Sequence, residues 1–236
     1  MIRDKLKDLA YFERFIEKKE RFIMEDIHYI KENDLNKDEI KSTQYSIFDY
    51  SVETLIAMYS EGRNLDDIKS YYSSNVLDYC KNGWFENSGG GYTSMLWMLS
   101  IGIMLEINQP EFRILTNLVK ENNLNDYLLN LLISYRIPNW DMNTEKFVFY
   151  RPYNIFSEII TLSKEQAVKR LEKYLNKEWY QGNKDIYWYE LHKNEFDLYF
   201  GYWSFESGAI AKMMGLEDAA LKDHPYYPYD LVHYKK

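Results

Sequence analysis

Apolar side chains recur at helical spacing along nearly the whole of this chain, and a sequence patterned in that way buries them by packing helices together. Leu6, Leu9, Phe12, Ile16, Ile23, Ile27 and Ile30 form one stripe over 3–31. After an Asn/Asp-rich turn, Ile40, Phe48, Val52, Leu55, Ile56 and Tyr59 form a second, and Gly62 is placed to end it. Asn64 can cap a third helix that carries Leu65, Ile68, Tyr72, Val76 and Cys80 inward and stops near Asn82 and Gly83. The alternation of a strand is offered only by 147–150. The expected fold class is therefore all-α, a multi-helix array of antiparallel helices.

Further along, an apolar helix is expected over 92–107 behind a glycine run at 89–91. Glycines at a helix start can cradle phosphate. Here no Lys-Ser or Lys-Thr pair follows, no strand precedes, and Glu86 would repel an anion, so a plain loop is the ordinary reading. Pro110 can open the next helix, which fades at Asn122 and Asn123, and 124–135 forms another. Periodicity stops over 138–146, the clearest domain boundary in the residues themselves. Ser163 to Gln166 has the form of a capping box, starting a helix with Val168, Leu171, Leu175 and Trp179 inward.

The C-terminal stretch is unlike generic helix sequence: YFGYWSFE from Tyr199, GAIAK from Gly208, and DHPYYPYD from Asp223. A helical stripe through Tyr199, Trp203 and Ile210 has one polar member, Glu206. Glu206 is thus expected to point inward, where a carboxylate is costly unless hydrogen-bonded. Pro225 and Pro228 favour extended backbone, and their tyrosine neighbours supply rings and hydroxyls, so an extended Pro/Tyr-rich tail laid over the domain is expected.

The chain carries a net charge of −8, from 29 basic and 37 acidic residues. Between Asp185 and Asp230, nine acids face three lysines; between Asp49 and Asp126, eleven acids face five bases. Phosphate backbones are gripped by basic surfaces, so direct nucleic-acid binding is not expected. The start of the chain lacks the apolar core of a signal peptide, and the apolar run near 92–105 is too short to span a bilayer. No membrane partner and a cytoplasmic location are expected. The single cysteine, Cys80, falls on an apolar stripe and reads as a small buried hydrophobe.

An enzyme would have to use four histidines, His28, His192, His224 and His233. His192 and Glu195 have a helical metal spacing, but no second ligand follows. Asp223 with His224, and Asp230 with His233, could each orient an imidazole. A metal-dependent or acid/base hydrolase centred on Glu206, His224, Asp230 and His233 is the alternative these residues permit. No nucleophile elbow, zinc-finger spacing or dinucleotide fingerprint is present. No catalytic residue, metal or cofactor is assigned.

The run YFGYWSFESGAIAKMMG followed by LKDHPYYPYD closely resembles the C-terminal domain of the PoNi family, bacterial immunity proteins that neutralise PoNe-type DNase toxins. Arg3-Asp4 with Tyr11-Phe12, and Tyr59-Ser60-Glu61-Gly62, are similar to that family's N-terminal domain. The resemblance implies helical domains over 1–122 and 123–236, no enzymatic activity, and a cognate DNase toxin as partner. A nuclease has a basic DNA channel that acidic side chains on a helix face can match. Periodicity puts Glu190 and Asp197 on an outward polar stripe while Trp188, His192, Phe196 and Tyr199 face in. Asp185, Glu190, Asp197 and Asp223 are the toxin-facing candidates, with Asp67 and Asp78 as a reserve set. A helical adaptor for another protein is the remaining alternative.

Overall fold

A computed structural model of the chain describes residues 2–85 and 90–235. Every regular element among the described residues is a helix, with no strand among them, so the 147–150 candidate is not realised. Packing groups them into two compact units, each discontinuous in sequence: 1–94 with 190–201, and 95–189 with 202–236.

The first unit is built on α1 (Leu9–Glu32) and α2 (Lys37–Glu61), which pack against each other. Helix α1 begins later than its apolar stripe suggests. Asp8 caps it by accepting from Tyr11 N at 2.8 Å, so Leu6 lies before the helix and both Leu6 and Leu9 are exposed. Asn36 and Glu39 form a reciprocal capping box on α2, and Gly62 closes that helix at φ 96°, a left-handed conformation that suits glycine. Asn64 caps α3 (Leu65–Tyr71), which runs through a π turn at Tyr72–Val76 into α4 (Leu77–Gly83). Gly83 is tight against α2: a Cβ there would meet the Gln44 carbonyl oxygen at 2.2 Å. Cys80 is fully buried, which holds its thiol protonated.

Helix α5 (Gly90–Met104) contributes its first residues to this unit and the rest to the other. Of the glycine-run reading, Glu86 and Gly89 lie outside the described residues, while Gly90 and Gly91 open α5 rather than precede it.

The second unit continues with α6 (Gln109–Glu121), opened by an Asn108 capping box with proline in its first turn, and α7 (Tyr127–Arg136). Fully buried Asp126 caps α7 through Leu129 N at 3.0 Å and uses its other oxygen to hold Val148 N at 2.7 Å. One carboxylate therefore anchors the far end of the irregular segment in which periodicity stops. Short α8 (Tyr150–Tyr153) and α9 (Phe156–Ile159) lead to α10 (Lys164–Lys177), started by the expected Ser163 capping box. Leu171, Leu175 and Trp179 are buried as expected. After α11 (Trp179–Gly182), the chain re-enters this unit at Tyr202 with α12 (Phe205–Met214) and α13 (Tyr229–Val232). Gly208 permits the approach of the Pro/Tyr tail, since a Cβ on it would meet Pro228 Cγ at 2.6 Å and Met104 Sδ at 2.7 Å.

Candidate functional site

The stretch before the C-terminal motif is not the helix that periodicity predicts. Glu190 and Asp197 adopt positive φ, 61° and 48°, and only Leu191–Lys193 makes a short 3-10 turn. Phe196 N donates to the Asn194 side chain at 2.8 Å, a local bond that competes with helical pairing. From Tyr199 to Ser204 the chain forms no helix and is buried throughout, and α12 begins only at Phe205. The apolar spacing that resembled a helix comes from a segment whose main-chain bonds are made with distant residues.

Those distant residues are the ones that carry the N-terminal resemblance. The Tyr11 hydroxyl accepts from Tyr199 N and donates to Tyr199 O, both at 2.9 Å, so one phenol satisfies both backbone groups as a strand partner would. Ser60 donates its hydroxyl to Phe200 O at 2.9 Å. Arg3 donates to the carbonyls of Tyr59 and Arg63 at 3.0 and 2.9 Å and lies over the Tyr59 ring. Phe12 and Phe15 pack on Tyr199 and Phe200. These family motifs form a clasp inside the first unit, and the loop 190–198 projects from it.

On that loop Glu190 and Asp197 are exposed, Glu190 paired with Lys193 at 2.6 Å. Lys18 donates to the Phe196 carbonyl at 3.3 Å. Phe196 itself, expected to face in, is 68% exposed. In the same unit Asp67 lies exposed in the first turn of α3, and Asp78 lies exposed on α4, paired with Lys81 at 3.1 Å. Asp78 also rims a cavity of about 280 Å³ lined by Ile27, Ile30 and Ile47.

The second unit carries the other two candidates. Asp185 is exposed in the turn after α11, on the rim of a cavity of about 680 Å³ that also holds Arg151, Arg170 and Glu178. Arg170 is clamped there by Glu178 through two bonds of 3.1 and 2.9 Å. Asp223 is exposed in the turn that follows Ala219–Leu221.

The residues of the hydrolase alternative do not assemble as pairs by sequence spacing. Glu206 is inward as predicted and 0% exposed, with Oε1 accepting from Ser204 at 2.6 Å and from Tyr174 at 3.2 Å. Burial raises its pKa to about 7 despite those bonds. His233 meets Asp218 at 2.8 Å rather than Asp230, and the same buried Asp218 accepts from Tyr227 at 2.6 Å. His224 accepts from Tyr226 N at 3.2 Å. His192 sets its ring edge-on to Tyr199. Among the described residues no group of three or more His, Cys, Asp or Glu is placed to hold a metal ion.

The sequence pattern missed one buried polar cluster, in the first unit. Lys19 Nζ lies 2.5 Å from Glu53 Oε2 and 4.5 Å from the centre of the Tyr50 ring. Burial pushes both Glu53 and nearby Asp49 above the usual carboxyl range, and Lys19 partly offsets it. Its signal was present in the sequence, because Lys19 occupies the stripe between Ile16 and Ile23.

Comparison with known proteins bears on the whole chain. Among solved structures, the chain is similar to protein PA2201 from Pseudomonas aeruginosa, with a TM-score of 0.72 at 18% identity over 99% of this chain and 90% of that one. At that identity the likeness shows a shared fold. No curated protein matches. Two family models do match: the N-terminal model of PoNe immunity proteins over residues 3–117 and their C-terminal model over 124–231. With nearly all of its length covered by the two, the chain belongs to the PoNi family of PoNe immunity proteins.

Proposed function

We propose that the chain neutralises a cognate PoNe-type DNase toxin by direct protein contact, acting in the cytoplasm without catalysis of its own, with 1–122 and 123–236 as its two inherited modules. The match to both PoNi models carries this reading. The exposure of all six candidate carboxylates supports it: Asp67, Asp78, Asp185, Glu190, Asp197 and Asp223 all face solvent, as contact with the basic surface by which a nuclease holds DNA requires. No helix among the described residues is long and apolar enough to cross a membrane, which agrees with a partner met in solution.

The test is suppression of DNA cleavage. The purified protein is mixed at equimolar ratio with its cognate toxin nuclease domain and plasmid DNA. Intact plasmid is expected, together with a stable complex in gel filtration; continued cleavage without complex formation would remove the proposal.

A further inference from the structure

Phe196 is the most exposed large apolar side chain among the described residues, and it stands on a loop with little freedom to bury it elsewhere. On its C-terminal side the chain is fixed at once, because Tyr199 has both backbone groups bonded to Tyr11 and its ring bonded to Asp4. Lys18 on α1 holds the Phe196 carbonyl itself. Leu198 is also exposed. A protein interface draws most of its affinity from a few such aromatic anchors that are rigid before binding and desolvated on binding.

The surroundings select the kind of partner. Glu190, Glu195 and Asp197 are exposed on the same loop. On the loop itself the one cation is Lys193, held by Glu190; from α1 and the segment before it Lys18 turns to the loop backbone, Arg14 lies near Tyr11 and Lys7 lies over the Tyr11 ring. An apolar anchor on a loop that carries three carboxylates against one lysine suits a basic surface that contains an apolar depression. It does not suit an anionic membrane or a nucleic acid.

We infer that the loop 190–198 is a toxin-docking element, with Phe196 inserting into an apolar pocket on the basic face of the cognate nuclease domain while Glu190, Glu195 and Asp197 meet the cations around it. This rests on the proposed immunity function and names the contact within it. The two kinds of residue have separable effects: a buried aromatic governs how long a complex lasts, and rim charges govern how fast it forms.

The experiment measures binding of the full chain to the cognate PoNe nuclease domain by surface plasmon resonance at several salt concentrations, alongside DNA cleavage. Phe196→Ala is expected to weaken binding by roughly 30-fold, mainly through faster dissociation. Phe196→Leu should recover part of that loss. Glu190→Gln with Asp197→Asn, the latter chosen because Asn tolerates positive φ, should slow association and flatten its salt dependence. A photo-crosslinking residue at 196 should join the two proteins. If the wild-type chain binds and protects DNA while Phe196→Ala behaves like wild type, or no crosslink forms at 196, the docking element is overturned and the immunity function stands. If the wild-type chain neither binds nor protects, both fall together.

Discussion

The Tyr199 hydroxyl donates to Asp4 Oδ2 at 2.5 Å, joining the fourth residue of the chain to the segment that leads into the C-terminal motif. Asp4 is 5% exposed, and its other oxygen accepts from the backbone of Leu6 at 2.7 Å and of Lys7 at 3.3 Å. Burial raises its pKa, and the tyrosine bond partly counters that rise. The clasp thus depends on one carboxylate whose oxygens are divided between organising the chain start and receiving Tyr199.

Tyr199→Phe should therefore weaken the first unit. The ring still packs on Phe12, but Asp4 Oδ2 loses its donor while remaining buried, a loss of about 1–3 kcal/mol. Amide hydrogen exchange should show faster exchange at the start of α1 and at 199–200. Unchanged protection there would mean that the bond contributes nothing to the clasp.

Much of the fold was legible because its signals are local. Gly62, Asn64, Pro110 and the Ser163 box act within a turn of their own positions, and the structure uses each as read. Glu206 was legible because a lone carboxylate on an apolar stripe has few places to go. The same logic applies to Lys19, whose long charged side chain hides its place on the stripe among other lysines. What the sequence could not yield is pairing at a distance. Tyr199 and Phe200 bond to Tyr11 and Ser60, Ser204 bonds to Tyr226, and a window of local periodicity reads such a segment as helix. The same periodicity places Phe196 inward, whereas the loop presents it to solvent. His233 likewise sits three residues after Asp230, yet it bonds to Asp218, brought there by the tail's path.

Lys19→Met should be among the most disruptive single changes in the first unit. It keeps a similar length but removes the cation 2.5 Å from Glu53, leaving Glu53 and Asp49 to repel each other in a poorly solvated seam between α1 and α2. Breaking a buried pair in this way costs about 3–5 kcal/mol. Both carboxyls have folded pKa values raised above their unfolded ones, so their favourable share is complete below pH 4 and is lost as pH rises through the folded values. Without Lys19 those folded values rise further. The defect should thus be largest at pH 8 and smaller at pH 5, where protons replace the missing charge. Urea denaturation followed by far-ultraviolet circular dichroism at the two pH values checks this; an equal loss at both would show that packing, not charge, carries the effect.

Glu206→Gln gives the corresponding test in the second unit. The Glu206 carboxyl is raised from 4.5 to about 7, chiefly by complete burial. A raised carboxyl stabilises the fold fully below its unfolded pKa, and that contribution disappears as pH climbs through the folded value. The wild-type unit should accordingly lose stability between about pH 4.5 and 7, by on the order of 3 kcal/mol for a shift of that size. Glutamine retains an oxygen to accept from Ser204 and Tyr174 but binds no proton, so the variant should show a flatter profile over the same range and exceed wild type at pH 8. Trp179 and Trp188 stack 5.4 Å apart in this unit, which makes tryptophan fluorescence a suitable probe of its unfolding in urea. A wild-type profile as flat as the variant's would mean that Glu206 is ionised in the folded protein, held by its hydroxyl donors more strongly than burial disfavours it.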